Sequence, residues 1–162
     1  MSINHWIVKN LVCTLFLVVG GLNIYAQKDK YLIEAEAFQC KGKWSTDRSA
    51  DCMGSAMLRL NGGGSLDEQF DALTVVNIME EGDYNVWVRS ADYDKLPGTR
   101  LFRLSVDEKP MKESGKHGKV GFYWENAGCV QLAKKQVLLR LHDTKRNFGR
   151  CDAILLVKDH SI

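Results

Sequence analysis

Two stretches, Ile33-Glu34-Ala35-Glu36 and Arg150-Cys151-Asp152-Ala153-Ile154-Leu155, bracket this chain and set its reading. Both read as short β-strands, and they stand about one small β-sandwich apart. Strand-like runs fill the interval: 31–38, 55–60, 73–79, 84–91, 101–107, 129–132, 136–142 and 151–157. Period-two alternation is clear in Phe102, Leu104 and Val106 against Arg103 and Ser105, and in Val137, Leu139 and Leu141 against Arg140 and His142. Tyr84, Val86 and Val88 face one way, Trp87 and Arg89 the other. Turn-formers divide the runs at Asn61-Gly62-Gly63-Gly64, Glu81-Gly82-Asp83, Leu96-Pro97-Gly98 and Asn126-Ala127-Gly128. No window keeps a helical period. The expectation is one all-β domain, a two-sheet antiparallel jelly-roll sandwich.

The N-terminus reads differently. Lys9 precedes an apolar run from Leu11 to Leu22, and Ile24-Tyr25-Ala26 ends in a small residue suited to cleavage. This is the pattern of a signal peptide over residues 1–26, with Gln27 opening the mature domain, 27–162. The run falls short of the roughly 20 apolar residues a membrane span needs. Cys13 has no small-residue lipobox before it. Export to the periplasm or the cell exterior follows, without a membrane-embedded segment.

Of 162 residues, removal of 26 leaves 136, an ordinary size for one domain. The chain has 22 Lys and Arg against 20 Asp and Glu, and loss of Lys9 leaves 21 against 20. A balance so close to neutral argues against nucleic acid, which requires clustered positive charge. Lys116–Lys119 and Lys134-Lys135 are short enough to be solvated turns. Four cysteines survive cleavage: Cys40, Cys52, Cys129 and Cys151. In an exported chain they suggest two disulfides, with three possible connectivities. Cys40 and Cys52 flank one loop and are the favoured pair, leaving Cys129 with Cys151; buried free thiols are the alternative. No C-x-x-C spacing points to zinc.

Residues able to carry chemistry are few. Glu34 and Glu36, two apart on a strand, would project from one face. Like charges side by side repel unless water or a cation intervenes, and calcium takes roughly six to eight oxygens. Asp152 is the natural third carboxylate if the first and last strands are neighbours. Two solvated glutamates on an edge strand are the alternative.

Trp44, Tyr93 and Tyr123-Trp124 fall in expected loops, where a flat apolar face suits the C–H face of a pyranose. Asp92, Asp94, Asp143, Asn147 and Arg150 could bond its hydroxyls. Trp87, in mid-strand, reads as structural. Catalytic patterns are wanting. No serine sits in a G-x-S-x-G elbow, His117, His142 and His160 lack metal spacing, and nothing singles out a carboxylate pair such as Asp92 with Glu125. Gly62-Gly63-Gly64 lacks the spacing of a phosphate loop.

Taken in order, Ile33-Glu34-Ala35-Glu36, Gly54-Ser55, Gly82-Asp83-Tyr84-Asn85-Val86-Trp87-Val88-Arg89 and Arg150-Cys151-Asp152-Ala153-Ile154 resemble a galactose-binding-like jelly roll. The general likeness is to carbohydrate-binding modules of families six and thirty-five. More narrowly, the chain resembles the β-sandwich segment of secreted Bacteroidetes FAD-dependent oxidoreductases and polysaccharide-degrading proteins. It spans residues 31–159.

The resemblance implies that Glu34, Glu36 and Asp152 hold a structural calcium. It also implies that Trp44, Tyr93, Trp124, Asn147 and Arg150 lie at the sugar cleft. Arg150 stands where many sugar-binding members have Asn, and Lys43 replaces the usual Gly before Trp44. The flavin domain of the narrower relatives is absent from this sequence, so no flavin chemistry is implied. The expected function is non-catalytic carbohydrate binding. The rivals are an accessory subunit docking on a separate secreted enzyme or glycan-uptake complex, and a small polysaccharide hydrolase or lyase.

Overall fold

The computed structural model describes residues 24–27, 29–62, 70–144 and 148–159. Its strands are β1 (Ile24–Gln27), β2 (Lys30–Glu34), β3 (Ser45–Asp47), β4 (Met57–Arg59), β5 (Ala72–Asn77), β6 (Gly82–Ala91), β7 (Phe102–Val106), β8 (Lys109–Ser114), β9 (Phe122–Leu132), β10 (Gln136–His142) and β11 (Arg150–Lys158). A 3-10 turn, Ala35–Ala37, follows β2. Among the described residues no helix is long and apolar enough to cross a membrane.

Two antiparallel sheets face each other. The larger has seven strands and is built on β11, which pairs with β6 along one edge and with β2 and β4 in succession along the other. β9 extends it beyond β6, β1 beyond β2 and β3 beyond β4. The smaller runs β5-β10-β7-β8. Alternation dictates what meets between them. Ile33, Tyr84, Val86, Val88, Ile154 and Leu156 of the larger sheet, and Phe102, Leu104, Val106, Val137, Leu139 and Leu141 of the smaller, are fully buried in one core. Burying a side chain of this size is worth about 1.5–3 kcal/mol, so this interface carries most of the driving force.

Three departures from the sequence reading have local causes. The first strand ends at Glu34 instead of continuing to 38, because Phe38 N–H donates to Ala35 O at 3.1 Å and the turn sends Phe38 back into the core. Glu36 therefore lies on a 3-10 turn. β9 starts at Phe122, so Asn126-Ala127-Gly128 is no turn. Val86 faces Gly128 while Trp87 faces Asn126, which leaves Ala127 as the extra residue of a β-bulge beside Gly128 at φ 122°. The missed strand β8 follows a two-residue hairpin, Asp107-Glu108, with φ of 50° and 68°. Those are the angles of a turn that usually announces itself with Asn-Gly, and here it does not.

The expected disulfides are not formed, and all four cysteines stand as free thiols. Cys40 is bridged by its backbone to Leu73 on the smaller sheet. The Cys52 thiol instead lies against Asp152 on the larger one. Cys129 is exposed, whereas Cys151 points into the core. Burial, followed by the Asp152 charge, pushes the Cys52 thiol up to about 11.

Candidate functional site

A bulge aims Asp152. Cys151 faces Ser90 but Ala153 faces Arg89, so Asp152 is the unpaired residue between them. Cys151 and Ile154 then both enter the core although three apart, which a regular strand forbids. Asp152 turns outward to the Arg89 guanidinium, which forms a close ion pair with it and also donates to Asp51 O at 3.1 Å. Met53 N–H donates to both Asp152 oxygens, at 3.1 and 3.2 Å. The carboxylate is fully buried, and burial lifts its pKa despite these partners.

Glu34 sits opposite Ala153, so β2 and β11 are neighbours as the sequence reading required. Gly54 packs on Glu34: at φ 63°, a Cβ there would fall 2.6 Å from its Oε1. Glu36 Oε1 accepts from Ser55 N at 3.3 Å and Ala56 N at 3.2 Å, while its Oε2 is buried without a partner. Burial raises the Glu36 pKa, and the Glu34 charge adds to it. Among the described residues no three Asp, Glu, His or Cys side chains converge as a metal cluster. The two glutamates with their orphaned oxygen fit a cation. Asp152 fits less well, because Arg89 already neutralises it.

The loop end of the sandwich forms around Asp92. Its buried carboxylate accepts from the N–H groups of Tyr93 (2.7 Å), Gly98 (3.1 Å) and Gly118 (2.8 Å), locking two loops. Glu125 is occupied in the same way, by Ser90 Oγ and by Gly115 N at 2.7 Å. Both acids are thus engaged by donors of the protein itself.

Tyr93 is 40 % exposed, with the Arg100 guanidinium 5.7 Å from its ring centre. Arg150 is half-buried, donating to Phe148 O at 3.1 Å. Phe148, which the sequence reading passed over, is 46 % exposed beside it. The one sequence signal for Phe148 was its position two residues before Arg150.

The aromatic expectations divide. Trp44 is no loop platform: it is 3 % exposed, edge-on to Phe102 at 5.6 Å, with Gly149 pressed on its Cη2. Its indole drops into the core because Lys43 N bonds Phe70 O and draws the segment onto the sheet. Trp124 lies within β9 opposite Arg89, two residues from the strand's start and not in a loop, since the Ala127 bulge lets the strand run on. Asn147 lies outside the described residues. Tyr93 and Arg150 are the two expected cleft residues found at the loop end.

A third group was not expected. On the outer face of the smaller sheet, Ser105 Oγ lies 2.6 Å from His142 Nε2, and His142 Nδ1 lies 2.7 Å from Asp71 Oδ2. No hydrogen bond runs along the second contact, since Asp71 Oδ2 accepts none. Arg140, 3.6 Å from the same oxygen, shares the charge. Ser105 is buried in mid-strand between β10 and β8, whose ladders occupy the surrounding amides. The group reads as a polar tie across β5, β10 and β7.

No family model matches this chain, and no curated protein is similar to it. Solved structures are. A family 35 carbohydrate binding module from Clostridium thermocellum superposes with a TM-score of 0.60 at 18% identity, over 78% of this chain and 97% of that one. A GH26-CBM35 β-(1,4)-mannanase from Podospora anserina gives 0.67 at 14% identity, covering 84% of this chain. An exo-β-1,3-galactanase from Phanerochaete chrysosporium gives 0.60 at 16%, covering 78%. The chain spans only 29% of each of these two enzymes. At such identities the likeness speaks to fold alone: a two-sheet antiparallel β-sandwich similar to that of the family 35 module.

Proposed function

We propose that this chain is an exported, non-catalytic module that binds carbohydrate at the loop end of its sandwich. The observation that carries the reading is the superposition on nearly the whole of an isolated family 35 module. The half-exposed Tyr93 and Phe148 beside Arg150 lend it a surface. An aromatic face and adjacent polar groups suit a sugar ring's apolar face and hydroxyls. Export rests on the 1–26 leader pattern alone: its first 23 residues lie outside the described ones, and residues 24–26 pair with β2 as part of β1, a strand that cleavage after Ala26 would remove; the module would then act in the periplasm or outside the cell. The mannanase and galactanase likenesses favour a second reading, in which the chain also docks on a separate secreted enzyme or glycan-uptake complex. A glycan array probed with the full mature chain tests the first reading. Reproducible retention of a glycan class supports it, and a blank from folded protein overturns it.

A calcium ion belongs to the same proposal. Glu34 and Glu36 would hold it, and its charge would tie β2 to the 52–56 segment; Asp152, the third carboxylate expected from the sequence, is already paired with Arg89. The Glu36 pKa is raised, so the folded state holds that proton more tightly than the unfolded chain does. Its contribution is therefore full below the ordinary glutamate value of roughly 4.3 and is lost as pH rises through the folded value. Two results should follow in calcium-free buffer at neutral pH. Glu36→Gln melts higher than the native chain, and added calcium raises the melting temperature of the native chain but not of the variant. An equal calcium response in both would place the ion elsewhere or nowhere.

A further inference from the structure

Most strand edges of this sandwich are guarded against further pairing. β3 is only three residues long. β8 carries Lys109, Pro110 and Lys112. β9 is interrupted by the Ala127 bulge, and Lys109 Nζ donates to its Cys129 O at 3.3 Å. β5 is bridged by Cys40 at Leu73. Short length, lysine, proline, bulges and covering segments are the devices that keep an edge from taking another strand. The remaining edge is held by β1, which pairs antiparallel with β2 from Ile24↔Ile33 to Gln27↔Lys30. On the leader reading, Ile24, Tyr25 and Ala26 depart with the signal peptide, and of β1 only Gln27 stays. Among the described residues β2 then has β11 on one side and no strand on the other. Its sequence, Lys30-Tyr31-Leu32-Ile33-Glu34, holds no proline or glycine, and its register with β11 is unbroken.

We infer, resting on the leader reading, that the mature chain pairs β2 with β2 of a second copy, antiparallel about Leu32. β1 already occupies this edge in regular antiparallel register, so the backbone is set to receive a strand. Self-complementarity, which a two-fold interface requires, selects the second copy as the occupant. With Leu32 opposite the copy's Leu32, Lys30 falls opposite the copy's Glu34 and Tyr31 opposite its Ile33. Opposite charges facing across strands stabilise the pair, whereas parallel alignment would set lysine on lysine and glutamate on glutamate. The outer face agrees. Trp87, Leu155 and Leu32 lie in one cross-strand row, each part-exposed. The two-fold runs this row into its copy, so apolar surface closes over the join. Five residues a side make a short interface, so the dimer forms only at high concentration. Glu34, opposite Ala153, marks the end of β2 nearest the start of β11. The two loop ends therefore point in opposite directions, and on the carbohydrate-binding reading a dimer bridges separate glycan chains instead of gripping one.

The test is sedimentation equilibrium of the exported chain over a rising concentration series, after intact mass has fixed its N-terminus. Its comparators are Leu32→Lys, which sets like charges at the two-fold, Lys30→Glu, which opposes Glu34 with a like charge, and Lys112→Glu on the β8 edge. A further chain begins at Ile24 and so keeps β1. The expected result is a monomer–dimer equilibrium for the chain beginning at Gln27. Lys30→Glu weakens it about tenfold, Leu32→Lys and the retained β1 abolish it, and Lys112→Glu leaves it unchanged. Amide exchange in β2 slows as the dimer forms. A monomer at every concentration, with Gln27 at its N-terminus, overturns the inference and leaves the leader reading intact, with that edge open to a strand of another protein. A dimer as strong in Leu32→Lys and Lys30→Glu as in the native chain also overturns it, as does equal weakening by Lys112→Glu. An exported chain that still carries Ile24–Ala26 overturns the cleavage site and the inference together. Should Leu32→Lys fail to fold, the exposed Lys30 decides, and an unchanged dimer in Lys30→Glu overturns the inference. Glycan binding is read separately on the array, so neither result stands for the other.

Discussion

Arg89→Met should lower stability by about 3–5 kcal/mol, the cost of leaving a buried carboxylate without its counter-charge. Asp152 is fully buried and its side-chain partner in the ion pair is Arg89. Burial already raises the Asp152 pKa with the guanidinium in place, so removing the cation leaves an anion the site does not tolerate at neutral pH. For a domain of this size, each kcal/mol corresponds to roughly 2–4 °C, so a fall of about 10 °C is expected. Adding Asp152→Asn to Arg89→Met should restore at least half of it, because the amide needs no counter-charge. The comparison, by urea unfolding in chelator, separates the pair from loss of the Arg89 guanidinium over the Phe122 ring. A single variant within 1 kcal/mol of the native chain would show that the pair contributes little. If calcium rescues Arg89→Met more than it stabilises the native chain, a cation can stand in for the guanidinium at Asp152.

Trp44→Ala should cost a similar 3–5 kcal/mol, as large-to-small changes at buried aromatics do. From the sequence, Trp44 was expected to lie at the cleft, where truncation would remove affinity and spare the fold. Its burial reverses that expectation. The ring is edge-on to Phe102, and Leu60 and Phe102 crowd Gly149 from the same side as Trp44. Alanine would open a cavity where the two sheets meet near the loop end. Trp44→Phe should lose much less: it keeps an aromatic in place and removes the indole Nε1, a buried donor with no partner. Thermal unfolding of both variants is the check, with glycan retention measured well below the melting temperature. Lost retention with an unchanged melting temperature would return Trp44 to the cleft.

Much of the architecture was legible because it follows from local chemistry. β10 matches its expected run at both ends, since strict alternation from Val137 to Leu141 leaves no other face to bury. The adjacency of the first and last strands also held, with Glu34 opposite Ala153. What could not be read were features in which one strand's conformation depends on its partner. The Ala127 bulge looks like a turn until β6 is set beside it. The Asp107-Glu108 hairpin carries no glycine, and it is closed by the ladder between β7 and β8.

The candidate site divides along the same line. The sequence by itself determined an all-β sandwich closed by its last strand, and a pair of glutamates near that strand. Period-two burial and like-charge proximity are properties of neighbours along the chain. Tertiary structure alone decided that Asp152 is held by Arg89, that Trp44 belongs to the core, and that Ser105, His142 and Asp71 meet across three strands. Those groups lie tens of residues apart, and a charge or a ring takes its role from what long-range pairing sets within a few ångströms of it.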